Sequence, residues 1–409
     1  MKLIVATYGT EGDARPFAAL CRGLMDVGHE ARLLADAATL GSAQSLGVPT
    51  TPLAGDIRGT LAPEHAIAAV VGKGGGFNET ARALAKIANE NAESWLGTII
   101  EAGEGCDAII VAGLAAFVGL SAAEYVGAKG VGSGMIPITP SGAFPSPFVP
   151  PKWVPRLLNR ASHRFVNAML WQAFRDKTNV ARAKFNLPAR QAAWTEHPMI
   201  YGVSPNLLPT PADWPANAHL CGQWLARSPA WTPPPELEKF LAAGEAPIYI
   251  GFGSMSGFDN EWLLDVLKKA TLGRRVLFHP GWSGIDAQTL PGNFFSIGDT
   301  PHDWLFPQTA AVIHHGGSGT SHSAARAGVP SIVTPFAGDQ FFWADRLRLA
   351  GVAPAAVDGR RPKVEVFARA LDFIAAARVR ERARELGEMM RAENGVRNAV
   401  EALERTLVS

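Results

Sequence analysis

The chain predicts an α/β protein built from two doubly wound domains that face each other across a cleft. Three observations carry that expectation. Its 409 residues exceed what one ordinary core organises, so two domains of roughly 150–220 residues each are expected. Short β-rich runs alternate with longer helical stretches, which implies parallel sheets covered by helices on both faces. The alternation also occurs twice, on either side of a stretch at 204–240 that is rich in proline and tryptophan.

In chain order, LIVATY (3–8), ARLLAD (31–36), AIIVAG (108–113) and KGVGSGMI (129–136) are the expected strands of the first half. Helical stretches at 15–28 and 78–100 lie between them. The second half offers strands at 247–254, 275–280, 294–298, 310–316 and 330–336, and 377–407 is strongly helical and charged. Pro233, Pro234 and Pro235 look like a stiff linker. The expected division is a first domain over 1–226, a linker over 227–235, a second domain over 236–390 and a C-terminal helix, 391–409, packing back on the first domain. In such sheets a ligand binds in the crevice beyond the carboxyl ends of the strands.

Composition narrows the function. Apolar residues at 47% against 18% charged can bury a core and argue against disorder. A formal net charge of +1 supplies no basic face, so no nucleic-acid partner is expected. Cys21, Cys106 and Cys221 form neither a metal spacing nor a disulfide framework, which suits a reducing, cytoplasmic setting. The opening MKLIVATYGTEGDARPF reads as a first strand, not a signal peptide. The weakly polar run 108–123 is too short for a membrane span and holds Gly113, Gly119 and Ser121. No integral membrane segment is expected, and peripheral contact with lipid stays open.

The densest constellation lies at 300–347. A buried strand runs into Gly316, Gly317, Ser318, Gly319 and Thr320 and then into a helix beginning near Ser321. A glycine turn at a helix N-terminus offers backbone N–H groups and the positive dipole end to an anion such as a diphosphate. Either His314 or His315 would add a donor. The turn matches neither GxGxxG nor a phosphate loop ending in Gly-Lys-Ser/Thr, and a plain strand-to-helix turn would have the same shape. Downstream, Asp339 and Gln340 follow a strand end, where a carboxylate and an amide can exchange hydrogen bonds with vicinal sugar hydroxyls. A helix N-cap is the competing role for Asp339. Phe341, Phe342 and Trp343 read as packing.

HHGGSGT at 314–320, with PHDWLFPQ before it and PFAGDQFFWADR after it, resembles the donor signature of the nucleotide-sugar-dependent glycosyltransferase superfamily. Within it the chain is similar to sterol glucosyltransferases and to antibiotic glycosyltransferases of the vancomycin type, across both halves. The resemblance implies the GT-B fold of two Rossmann-like domains, with the donor site in the second, the acceptor site in the first, and inversion at the anomeric carbon. It implies His314 at the donor phosphates, Gly316, Gly317, Ser318, Gly319 and Thr320 around the diphosphate, and Asp339 and Gln340 on the sugar. Gly253 and Ser254 would lie near the phosphates, with Gly12 also in the donor set. The Gly281–Trp282 step and the loop 297–302 are the places for the nucleobase, whereas Trp304 falls late for stacking and reads as core. No cofactor or metal is implied; UDP-glucose is the default donor, as a substrate.

Attack by an alcohol on an anomeric carbon needs a base to take the hydroxyl proton. The diphosphate leaving group needs positive potential, here helix dipole, histidine and backbone amides. Asp13 in TYGTEGDARPF is the candidate base, since the loop resembles the Gly-Thr-Arg-Gly-Asp segment of the sterol and antibiotic enzymes. A simple N-cap would account for its position equally well. The family's arginine is Glu11 here, and two carboxylates so close are expected to raise the proton affinity of Asp13. His29 reads as structural. A glycine-rich loop at 61–80 and the apolar, proline-rich 134–160 would shape the acceptor site, with Phe144, Phe148, Trp153, Phe165 and Trp171 as candidate lining. That chemistry favours a sterol, polyketide or flavonoid-like acceptor. The rival readings are a nucleotide-sugar epimerase and a non-catalytic relative that binds nucleotide sugar or stabilises a partner enzyme. The chain keeps the base, the HHGG turn and the Asp-Gln pair that such a relative would be expected to lose. It has no Asp-X-Asp pair, and no GxGxxG follows the first strand.

Overall fold

The computed structural model describes residues 1–60, 77–226, 231–253, 260–281 and 290–408. Among these, two parallel sheets form. The first comprises β1 (Lys2–Tyr8), β2 (Glu30–Asp36), β3 (Thr50–Leu53), β4 (Ala108–Gly113), β5 (Lys129–Gly134), β6 (Met199–Tyr201) and β7 (Ala218–Leu220), in the order β3-β2-β1-β4-β5-β6-β7. The second comprises β8 (Ile248–Gly251), β9 (Val276–His279), β10 (Phe294–Ser296), β11 (Ala311–His314) and β12 (Ser331–Val333), in the order β10-β9-β8-β11-β12. Both orders reverse direction once, between β1 and β4 and between β8 and β11. Crevices open at such switch points, so the loops after β1, β8 and β11 are where a ligand would sit.

The longer helices are α1 (Glu11–Asp26), α2 (Phe77–Gly103), α3 (Ala116–Val126), α4 (Asn159–Lys184), α5 (Pro235–Ala242), α6 (Asn260–Ala270), α7 (Ser318–Ala327), α8 (Gln340–Leu349), α9 (Val364–Ala375), α10 (Ala377–Ala392) and α11 (Gly395–Val408). β1 shows why apolar runs make central strands. Leu3 and Val5 enter the core under α1, while Ile4, Ala6 and Tyr8 enter the one on the opposite face. β8 divides likewise, Ile248 and Ile250 on one side and Tyr249 on the other. No described helix is long and apolar enough to cross a membrane. The three cysteines are free thiols, Cys21 and Cys221 buried.

Three strands escaped the sequence reading. β3, β6 and β7 are three or four residues long, too short for alternation to register. α1 also starts four residues earlier than expected, because Thr10 caps it. The helical stretch 377–407 forms two helices, α10 and α11. The chain leaves helical geometry at Glu393, with φ −71° and ψ 141°. There the Glu393 carboxylate accepts from the Ser204 hydroxyl at 2.5 Å and the Asn206 amide at 2.7 Å. α11 then packs on α1 through Ala399, Val400 and Leu403. His29 Nε2 lies 2.9 Å from Glu404 there, a structural role.

The halves meet in a continuous apolar seam: Phe144, Tyr201, Leu207 and Leu208 pack with Phe342, Trp343, Leu347 and Met390. The rings of Phe144 and Phe342 stand 5.3 Å apart.

Candidate active site

β1 ends at Tyr8, and the chain turns through Gly9 and Thr10 into α1. Thr10 occupies the N-cap and Asp13 the third helical position of a capping box, so Asp13 is not itself the N-cap residue. Oδ2 of Asp13 accepts from the Thr10 backbone N–H at 2.8 Å and from its hydroxyl at 3.2 Å. Among the described residues nothing bonds Oδ1, which leaves that oxygen for an incoming proton. Gly9 makes the arrangement possible: a Cβ there would stand 2.3 Å from Oδ2. Burial raises the Asp13 pKa, and the two Thr10 donors oppose the rise. Glu11 is not among the causes. It turns to Arg15, at 3.8 Å, and feels Asp299, so the expected carboxylate–carboxylate effect is replaced by desolvation.

The second corner follows β11. His314 is fully buried, its Nδ1 accepts from the Gly316 N–H at 3.1 Å, and burial holds its pKa well below the usual histidine range. The ring is therefore neutral, with its proton assigned to Nε2 by the Nδ1 bond. That Nε2 is buried and has no hydrogen-bond partner among the described residues. Gly316 adopts φ +96°, and a Cβ there would press within 2.9 Å of the Gln340 carbonyl oxygen. The glycine turn and the Asp339–Gln340 loop thus touch directly.

Gly317 is the N-cap of α7, with no side-chain cap. The first intrahelical bond runs from Ser321 N–H to the Gly317 carbonyl. The amides of Ser318, Gly319 and Thr320 are accordingly those a helix leaves open at its positive end. A Cβ on Gly319 would meet nothing within 4 Å. The Ser318 hydroxyl, instead of facing an anion, donates to the Met135 carbonyl of the other half at 2.9 Å.

Asp339 sits at the N-cap position of α8 but makes no capping bond; Oδ2 accepts from the Trp343 indole N–H at 2.7 Å. Burial pushes its pKa up to about 6, the Trp343 N–H opposes the rise, and the charge of Asp13 adds to it. The two acids, one from each half, thus feel each other's charge. Gln340 directs Oε1 inward to the N–H groups of Phe336 (2.7 Å) and Ala337 (3.1 Å). Gly253, at φ +61°, lies against the His315 ring, and a Cβ on Gly281 would stand 2.3 Å from the Gly253 carbonyl oxygen. Ser254 and Trp282 lie outside the described residues, as do 61–76 of the glycine-rich loop. Gly12, within α1, is exposed, with only the Thr10 hydroxyl near its absent side chain.

Comparison with known proteins shows the family and the fold. Residues 261–405 match the family described as "Erythromycin biosynthesis protein CIII-like, C-terminal domain". The whole chain is 31% identical to sterol 3-beta-glucosyltransferase UGT80B1 of Arabidopsis thaliana, covering 68% of that protein. It is 32% identical to the O-mycaminosyltylonolide 6-deoxyallosyltransferase of Streptomyces fradiae over 99% of this chain and 97% of that one. The chain belongs to this glycosyltransferase family. The crystal structure of the glycotransferase of kitacinnamycin shares the GT-B fold, with a TM-score of 0.75 at 18% identity over 99% of this chain and 98% of that one.

Elsewhere in the transferase, the loop 297–302 carries Asp299, 3.2 Å from His279 Nε2, and His302, stacked on Phe306 at 4.2 Å. Burial, then the charge of Arg15 from across the cleft, brings the His302 pKa down to about 3. Trp304 leans on Trp231 at 4.9 Å and packs with the core. Of the five aromatics named for the acceptor site, Phe144 lies in the seam and Trp171 packs with Phe117 and Trp194. Phe148 is half-buried, and Trp153 and Phe165 are exposed. Residues missed in the sequence include Thr10, legible as the first member of a Thr-x-x-Asp capping box. His322 also went unread. It accepts from the Ser204 N–H at 3.2 Å and lies 2.8 Å from the Ser318 carbonyl, tying the halves together beside the glycine turn. No local sequence signal marks that role.

Proposed function

We propose that this glycosyltransferase is inverting and metal-independent, and that it moves a hexose from a nucleotide diphosphate, with UDP-glucose as first candidate, to a hydroxyl on a hydrophobic small molecule. One observation carries the reading: the charge of Asp13, half-buried with a free oxygen, reaches Asp339, whose neighbour Gln340 abuts the glycine turn that leads to an uncapped helix N-terminus and an unpartnered buried histidine nitrogen. Asp13 Oδ1 takes the proton of the acceptor hydroxyl as its oxygen bonds to the anomeric carbon. The bond from that carbon to the β-phosphate oxygen breaks, and the electron pair leaves with the nucleoside diphosphate. The open amides of Ser318, Gly319 and Thr320 and the Nε2–H of His314 meet the departing charge. Asp339, with Gln340 beside it, holds sugar hydroxyls. Attack from the side opposite the phosphates inverts the anomeric centre.

The sterol and macrolide relatives support an acceptor of that polycyclic or macrocyclic kind, as does the scarcity of charge in 134–160. A thymidine diphosphate deoxysugar is the second donor to try, because the Streptomyces fradiae relative is a 6-deoxyallosyltransferase. The test incubates the protein with UDP-glucose and thymidine diphosphate sugars against sterols, macrolactones and flavonoids. Transfer is expected in EDTA, with the product anomer opposite to the donor's by proton NMR. Donor binding without transfer across the panel would favour a non-catalytic binder, and loss of transfer in EDTA would refute metal independence.

A further inference from the structure

We infer that the first domain carries a docking surface for an anionic phospholipid bilayer, formed by residues 152–168. Four large apolar side chains stand in water there: Trp153 (70% exposed), Leu157 (86%), Leu158 (45%) and Phe165 (63%). Soluble surfaces scatter such residues singly; this stretch gathers them. Two short helical turns, Pro151–Trp153 and Arg156–Leu158, lead directly into α4. The outward line on α4 continues through Ala161, Phe165 and Ala168, all exposed and at helical spacing from Leu157. A solvated helix face would put polar groups on that line.

Charge identifies what covers the surface. Residues 134–175 contain Lys152, Arg156, Arg160, Arg164 and Arg175 and no aspartate or glutamate, in a chain whose net charge is +1. Arg160 closes on Asp213 at 2.6 Å and Arg175 on Asp176 at 3.2 Å. Lys152, Arg156 and Arg164 are exposed and form no ion pair among the described residues. Exposed cations interleaved with tryptophan, leucine and phenylalanine match an interface that offers negative headgroups above an apolar interior. A second copy of the chain docked through the same face would bring these cations against their own duplicates. The Pro151–Trp153 turn rests on α8, the helix that begins beside Asp339, so a docked bilayer lies one helix from the cleft.

Flotation of the full chain with phosphatidylcholine vesicles, and with vesicles containing about one-third phosphatidylglycerol, tests this. Binding is expected only to the anionic vesicles and should weaken as salt is added. A Lys152→Glu/Arg156→Glu/Arg164→Glu variant should lose about tenfold or more in partitioning, and so should Trp153→Ser/Leu157→Ser/Phe165→Ser. Both should keep the wild-type melting temperature, as exposed substitutions do. Equal binding to neutral and anionic vesicles, or no binding to either, overturns the inference. So does a dimer, seen by light scattering, that the serine variant dissociates.

Discussion

Two corners of this molecule are built from the same parts and used in opposite ways. Each follows a strand beside its sheet's switch point, turns through glycine and opens a helix. At α1 the chain supplies its own acid: Thr10 and Asp13 close a capping box, and the helix start is satisfied internally. At α7 the chain supplies none. Gly317 stands where a capping side chain would be, and the amides of the first turn stay open. A helix start that is closed holds a carboxylate in place, and one that is open waits for an anion from outside. In the proposed reaction the first would take the acceptor's proton and the second would receive the leaving group.

The sharpest way to break the comparison is to neutralise the closed corner. Asp13→Asn keeps an oxygen for the Thr10 donors but offers no site for a proton. Turnover should fall by about 10²–10⁴, with donor affinity by calorimetry and melting temperature near wild type. Loss of donor binding in parallel would make the acid structural.

The next test closes the open corner. Gly319→Asp adds an acid where a Cβ meets nothing, so the fold should tolerate it. Replacing a helical glycine and placing a negative charge in the first turn should each stabilise by about 0.5 kcal/mol. Donor affinity should nonetheless drop about a hundredfold, since like charges would meet at the diphosphate. Gly319→Ala, which gains helix propensity without charge, should keep nearly normal affinity. A stable Gly319→Asp protein that still binds donor would place the phosphates elsewhere.

How much of this was readable beforehand follows from length scale. The apolar runs of β1, β4, β8 and β11 and the glycines after β11 act within a few residues, so the central strands and the α7 turn were legible. Asp13 was read as an acid, while Thr10, three residues before it, went unread as its capping partner. What sequence periodicity does not encode is long-range company. The Ser318–Met135 bond, the His322–Ser204 bond and the helix break that Glu393 makes for Ser204 each join positions distant in the chain. The source of the Asp13 shift was misassigned for the same reason: Glu11 is near in sequence, but burial does the work.

That shared burial gives a smaller, pH-dependent effect. Asp339 titrates at about 6 in the folded protein against an ordinary 3.8. Between those values the folded state holds more protons than the unfolded, so stability falls as pH rises through this window. Asp339→Asn should therefore melt several degrees above wild type at pH 7 and match it near pH 4, while losing discrimination among donor sugars. Because the charge of Asp13 contributes to the shift, the same step in Asp13→Asn should move to lower pH. An unmoved step would mean that the two acids do not sense each other across the cleft.

The smallest expected effect separates holding Asp13 from being Asp13. The Thr10 hydroxyl, 3.2 Å from Oδ2, lowers the pKa of Asp13 against the burial that raises it. Thr10→Ala removes that donor and leaves the backbone N–H at 2.8 Å. The carboxylate should then hold its proton to higher pH. As the base acts only when deprotonated, the acid limb of the rate profile should shift to higher pH by a fraction of a unit, with the plateau at high pH nearly unchanged. Loss of the capping side chain should cost about 1 kcal/mol of stability. Thr10→Ser restores the hydroxyl and should return both quantities toward wild type. A change in plateau rate without a shift of the limb would show that the hydroxyl orients the carboxylate and does not tune its charge.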